Sequence, residues 1–128
     1  MIPKSASPTI LVVDDFDDVR FMLRQWLRGR GFRVVEATSG QQAVEVARLE
    51  HPNLILMDIG MPGGDGLNAT LNIRENAETR DVPVVVVSAY GAEHYRDAAL
   101  QVGCAGFVAK PINFEELENL ISRLLPAA

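Results

Sequence analysis

Residues Asn53-Leu54-Ile55-Leu56-Met57-Asp58 set an unbroken apolar run directly before a carboxylate. A run this short and this apolar suits a strand covered on both faces, since a half-exposed strand would alternate apolar and polar residues. Similar runs recur at Thr9 to Val13, Arg33 to Ala37, Pro83 to Val87 and Gly106 to Ala109, each rich in Val, Ile or Leu. Segments with helical spacing lie between them. Val19, Met22, Leu23, Trp26 and Leu27 form one stripe, followed by Gly29 and Gly31 as stop signals, and Tyr95, Ala98, Ala99 and Val102 form another, ended by Gly103.

The remaining helices are marked by their caps. Ser39 with Gln42 makes a capping box for the second helix. In the last helix Asn113 is the cap, Glu116 stands three residues on, Ile112 and Leu117 staple it, and Leu117, Leu120, Ile121, Leu124 and Leu125 form its stripe. The helix after Gly66 is placed from context, because Leu67, Leu71 and Ile73 share no single stripe.

Strands alternating with helices imply right-handed crossovers and a parallel sheet. The expected fold is a doubly wound α/β domain, with a five-stranded parallel sheet in the flavodoxin-like order 2-1-3-4-5 and five helices on two faces. At 128 residues, 48% of them hydrophobic, the chain suits one domain, drawn over residues 9–125. Residues 1–8 read as a flexible lead-in and 126–128 as a C-terminal tail.

The formal net charge of -5 gives no basic footprint for gripping nucleic acid or anionic lipid, so direct nucleic-acid binding is not expected. Cys104 is the single cysteine, which excludes an intrachain disulfide, and no apolar run is long enough to span a bilayer. With no signal-peptide pattern either, a reducing cytoplasm is the expected setting.

In such sheets ligands sit at the carboxyl ends of the strands. Asp14 and Asp15 follow the first apolar run, Asp58 the third, Ser88 the fourth, and Lys110 with Pro111 the fifth. If strands one, three, four and five are adjacent, these side chains meet in one pocket. Three carboxylates in one pocket repel each other, and the ordinary remedies are protonation or a bound cation. Oxygen-only ligands favour a hard ion such as Mg²⁺ or Mn²⁺ over zinc, for which no His or Cys stands nearby. A cation beside Asp58 would let the carboxylate attack phosphorus and form an acyl phosphate, with Lys110 as a compact positive charge and Ser88 as a hydrogen-bond donor for its oxygens.

Val12-Val13-Asp14-Asp15, Met57-Asp58-Ile59-Gly60-Met61-Pro62-Gly63-Gly64-Asp65-Gly66, Ser88-Ala89 and Lys110-Pro111 together resemble the bacterial two-component response-regulator receiver domain, over about Thr9 to Leu125. Each motif alone is weak, but four in order on strand ends are not coincidence. The resemblance implies that Asp58 is the phosphoacceptor, that Asp15 and Asp58 bind Mg²⁺ directly and Asp14 largely through water, and that the Gly60 carbonyl is a further ligand. It also implies that Lys110 pairs with the phosphate, that the Lys110-Pro111 bond is cis, and that Ser88 and Phe107 form the switch pair. Ser88 stands where Thr is commoner, and Phe107 lacks the hydroxyl of the Tyr often found there. Signalling would pass through the face made by the fourth helix, fifth strand and fifth helix.

The partners implied are a histidine kinase or histidine phosphotransfer protein and a downstream protein target, with homodimerisation through that same face left open. Plainer readings exist for several residues. Asp14 and Asp15, with Asp17 and Asp18, could simply decorate a helix N-terminus. Asp65 and Gly66 read as a turn and helix start, Gly60, Gly63 and Gly64 as a mobile loop, Phe107 as a core aromatic, and Cys104 as a small buried hydrophobe. His51 and His94 read as surface residues. By the same resemblance, Tyr90 and Gly60 occupy positions that influence how readily water reaches the phosphoryl group.

A conventional enzyme is not expected. A Mg²⁺-dependent aspartyl-phosphate phosphatase of the haloacid-dehalogenase kind would carry an acid where Gly60 stands. A structural pseudo-receiver would have lost a pocket residue, and an FMN binder would not place Asp14 and Asp15 where a phosphate needs donors. The chain ends shortly after the last helix, which suits a stand-alone receiver; a fragment of a transcriptional regulator or hybrid kinase is the alternative.

Overall fold

The five apolar runs pair as one parallel sheet. β1 (Thr9–Val13) lies between β2 (Arg33–Ala37) and β3 (Leu54–Asp58), with β4 (Val84–Ser88) and β5 (Gly106–Ala109) beyond, in the order 2-1-3-4-5 that the sequence predicts. The computed structural model describes residues 7–61, 65–89 and 95–125, apart from the Tyr95 side chain. The readings of Met1 to Ala6, of Pro62, Gly63 and Gly64, of Tyr90 and His94, and of residues 126–128 therefore lie outside the described residues. The ladder reaches back to Pro8, whose carbonyl accepts from Arg33 N at 2.9 Å.

β1, β3 and β4 are buried along their whole lengths, but β2 and β5 are not. The expectation of strands covered on both faces is thus corrected for these two, because they are the edges of the sheet, where helices flank them incompletely. β3 and β4 also begin and end one residue later than the apolar runs. Pro83 has no N–H and joins the ladder only through its carbonyl, which accepts from Ile55 N at 3.0 Å. At the other end Ile59 N donates to Val87 O at 3.0 Å and Lys110 N to Ser88 O at 2.6 Å, so pairing runs through Asp58 and Ser88.

Helices cover both faces. α1 (Asp17–Gly29) and α5 (Phe114–Leu124) pack over Ile10, Val12, Leu54 and Leu56, while α2 (Gly40–Glu50), α3 (Asp65–Glu75) and α4 (Tyr95–Gln101) pack over Leu11, Val13, Ile55 and Met57. This is the period of two expected of a strand. Leu27, fully buried, contributes roughly 1.5–3 kcal/mol by leaving water. Among the described residues no helix is long and apolar enough to cross a membrane.

Local signals explain most helix ends. Ser39 Oγ accepts from Gln42 N at 3.1 Å and Asn113 Oδ1 from Glu116 N at 3.0 Å. The return arm of the first box lands one residue early, with Gln42 Oε1 accepting from Thr38 N at 2.6 Å. Gly31 and Gly103 take positive φ just past α1 and α4, a conformation that an L side chain resists.

Two stripes differ from expectation. Met22 is exposed, because Val19, Leu23, Trp26 and Leu27 already fill the inward face of α1. α3 does have a buried stripe, Gly66, Ala69, Thr70 and Ile73, at helical spacing, but its small and hydroxylated members hid it.

Candidate functional site

Side-chain alternation brings the candidate residues together. Asp14 continues the parity of Ile10 and Val12, Asp58 that of Leu54 and Leu56, and Lys110 that of Val108, all toward the α1–α5 face. Ser88 continues Val84 and Val86 toward the other face, which it shares with Phe107. Asp14, Asp15 and Asp58 each offer a carboxylate oxygen, and these oxygens lie within 4.8 Å of one another. Asp14 and Asp58 are buried, whereas Asp15 is exposed.

Lys110 enters from β5. Its Nζ donates to Asp14 Oδ2 at 3.0 Å and stands 3.5 Å from Asp58 Oδ2. Gly60 N donates to Asp58 Oδ1 at 2.8 Å, and Phe16 N to Asp14 Oδ1 at 2.8 Å. Burial pushes the Asp58 carboxyl above its usual range and the Asp14 charge adds to this, against the opposing pull of the Gly60 amide and Lys110. Burial alone would lower the Lys110 ammonium, but its hydrogen bond to Asp14 and the nearby Asp58 and Asp14 charges outweigh that and raise it. The pocket therefore holds more negative charge than its single ammonium offsets, and its donors are all oxygen. Both properties fit a hard divalent cation.

Ser88 is buried at the end of β4, in register with Ala109, and Phe107 is in register with Val86. Phe107 is half-buried against the core beneath α2, α3 and α4, two residues along the same face from the Ser88 register position. The Lys110-Pro111 bond is cis. Cys104 packs half-buried against the same core, with burial pushing its thiol up. His51 is exposed, and it holds a positive φ at the end of α2.

Asp65 and Gly66 do start a helix, as predicted, but they also tie the site to its surroundings. Asp65 Oδ2 accepts from Gly40 N at 2.5 Å, so one residue of α3 caps the N-terminus of α2. A Cβ on Gly66 would lie 2.3 Å from the Asp58 carbonyl oxygen, which makes this glycine the condition for α3 to abut the strand that carries Asp58.

Sequence reasoning passed over Arg20 and Glu36. The Arg20 guanidinium, with its side chain only 12% exposed, donates from Nη1 to the Asp14 carbonyl at 2.7 Å and from Nε to Glu36 Oε1 at 3.3 Å, and it also pairs with Asp17. Glu36 further takes Arg24 Nη1 at 2.6 Å. The available signal was a carboxylate between Val35 and Ala37 within a strand run, together with an arginine one turn into the preceding helix.

Comparison with known proteins points one way. The family described as the response regulator receiver domain matches residues 10–122. The chain is 31% identical over 117 residues to the polar-differentiation response regulator DivK of Brucella ovis, covering 91% of this chain and 95% of DivK. It is 37% identical over 116 residues to ycf27 of Cyanophora paradoxa, a protein named for transcriptional regulation, and there it spans 47% of the relative, about half its length. Among solved structures, the receiver domain of the sensor histidine kinase PA1611 of Pseudomonas aeruginosa superposes with a TM-score of 0.85 at 33% identity, over 95% of this chain and all of that one; it holds a magnesium ion in its active-site cleft. The chemotaxis response regulator CheY4 of Vibrio cholerae superposes with a TM-score of 0.85 at 25% identity, over 94% of this chain.

Proposed function

Because the chain belongs to the response regulator receiver domain family, we propose that it is a phosphorylation-controlled switch in which Asp58 accepts a phosphoryl group from a histidine kinase or a histidine phosphotransfer protein. The observation that carries this reading is the convergence of Asp14, Asp15, Asp58 and Lys110 at the carboxyl ends of the strands. Asp14, Asp15 and Asp58, with the Gly60 carbonyl, would hold Mg²⁺ or Mn²⁺. That cation would offset the charge gathered on the carboxylates and the incoming phosphoryl oxygens.

The chain's own residues do the rest. A carboxylate oxygen of Asp58 bonds to phosphorus as the donor's phosphorus–nitrogen bond breaks, and the phosphoryl group passes to Asp58 as an acyl phosphate. Lys110 can leave Asp14 for a phosphate oxygen, and Ser88 offers its hydroxyl to another. The position of Phe107 on the Ser88 face supports a relay to α4, β5 and α5, a two-state population shift that a downstream protein would read. With Gly60 where a phosphatase would need an acid, the chain is a switch rather than a turnover catalyst. A single cysteine and an acidic surface suit a cytoplasmic setting and a protein target rather than nucleic acid.

Incubation with a small acyl phosphate and Mg²⁺, followed by intact mass, tests this. Wild type should gain one phosphoryl group and Asp58→Asn none; an adduct on Asp58→Asn would overturn the assignment.

A further inference from the structure

Asp15 is the least constrained member of the acidic group. The Asp14 carboxylate is held by Phe16 N and Lys110 Nζ, and that of Asp58 by Gly60 N and Lys110, but among the described residues no partner holds the Asp15 carboxylate. Its placement depends on its backbone. Asp14 and Asp15 share a planar peptide unit, so whatever fixes the Asp14 carbonyl fixes the direction in which Asp15 leaves it.

That carbonyl lies one residue beyond the paired span of β1, where the sheet no longer supplies a donor. Arg20 supplies it instead, from Nη1 at 2.7 Å. The guanidinium is itself anchored on two elements, by Asp17 in the first turn of its own helix α1 and by Glu36 of β2, which Arg24 holds from its other oxygen. The planar fork reaches the Asp14 carbonyl, Asp17 and Glu36 from three separate nitrogens, a spread that the single nitrogen of an ammonium does not reproduce.

We propose that Arg20 is a positioning residue of the cation site, clamping the Asp14–Asp15 peptide plane to β2 through Glu36 so that Asp15 faces Asp14 and Asp58. This rests on the reading of those three carboxylates as cation ligands. It has a consequence of distinctive sign. A cation next to a Mg²⁺ site repels the metal, so a merely electrostatic Arg20 would make Arg20→Met bind Mg²⁺ more tightly. A clamp makes the same variant bind more weakly, by roughly tenfold, as loss of an outer hydrogen bond to a metal ligand does.

The test is calorimetric Mg²⁺ titration of the full chain as wild type, Arg20→Met, Arg20→Lys, Glu36→Gln and the Arg20→Met/Glu36→Gln double variant, beside amide hydrogen exchange without metal. Expected are weaker binding in Arg20→Met, incomplete recovery in Arg20→Lys, and a double variant no weaker than Arg20→Met. Faster exchange at Asp15 and Phe16 in both Arg20 variants is expected as well. Unchanged or tighter Mg²⁺ binding by Arg20→Met would overturn the proposal. If that variant does not fold, wild-type affinity in Arg20→Lys would do so. Wild-type phosphorylation, run in parallel, separates the two readings: its failure sinks the function, while its success with unweakened Arg20 variants sinks only the clamp.

Discussion

Lys110 Nζ lies 3.0 Å from Asp14 Oδ2 and 3.5 Å from Asp58 Oδ2, a contact made across 96 residues of sequence between the ends of β5 and β1. The ammonium is thus parked closer to Asp14 than to Asp58, the proposed phosphoacceptor. It offsets part of the negative charge of the pocket and stays within reach of a group arriving on Asp58.

Replacing it separates these roles. Lys110→Met should destabilise the metal-free fold by about 2 kcal/mol, because it strands buried carboxylates without their cation. Mg²⁺ should restore much of that loss and bind several-fold tighter, having lost a competing positive charge, while uptake of phosphoryl from a small donor slows. Urea denaturation with and without Mg²⁺ reads the first effect and a phosphorylation time course the last.

Stability without metal should fall as pH rises through the acid range at Asp58. Burial sets its folded pKa above the unfolded value, so between the two the folded chain keeps a proton that the unfolded chain has released. Lys110 acts at the alkaline end: its raised folded pKa gives stability that is present below the ordinary lysine range and lost as pH climbs through the folded value. Asp58→Asn should therefore be more stable than wild type at neutral pH without Mg²⁺, and the gap should close below the ordinary carboxylate range. Denaturant midpoints at a series of pH values check this; a gap independent of pH would contradict it.

Two glycines in helices should respond oppositely to alanine. A Cβ on Gly66 would meet the Asp58 carbonyl oxygen at 2.3 Å and Ile59 Cα at 2.8 Å, both backbone atoms that cannot yield without shifting the site. Gly66→Ala should cost about 1–3 kcal/mol and impair phosphorylation. Gly29 has nothing within 4 Å and ends α1, so Gly29→Ala should be neutral or gain up to about 1 kcal/mol. Thermal melts of the two variants suffice.

Arg74 lies in the last turn of α3 with its Nε and Nη2 buried and without hydrogen-bond partners among the described residues, and burial lowers its pKa. Its aliphatic stem packs against Gly103, where a Cβ would sit 3.0 Å from Arg74 Cδ. Arg74→Met keeps the stem and removes the unsatisfied donors, at the cost of the bond to the Arg80 carbonyl. A net gain of about 1 kcal/mol is expected in chemical denaturation.

Much of this molecule was legible in the chain. Strand runs, the caps at Ser39 and Asn113 and the stops at Gly31 and Gly103 are local signals, since each depends on bonds within a few residues. The α3 stripe was not legible because Gly66, Ala69 and Thr70 are buried for their small size, which a hydrophobic pattern does not register. Met22 misled for the converse reason: it is apolar and in phase, yet Trp26 and Leu27 had already filled the face.

For the site, the residue types and their strand-end positions came from sequence alone: Asp14, Asp15, Asp58, Ser88 and Lys110 follow apolar runs whose alternation even sets which way each points. The period of a strand is a property of the backbone and needs no partner. What only the tertiary structure decided are the relations across elements: that Lys110 rests on Asp14, that Asp65 caps α2 through Gly40, and that Arg20 bridges the Asp14 carbonyl and Glu36. These are bonds between groups on different elements, and their geometry exists only after the sheet has fixed the order and register of its strands.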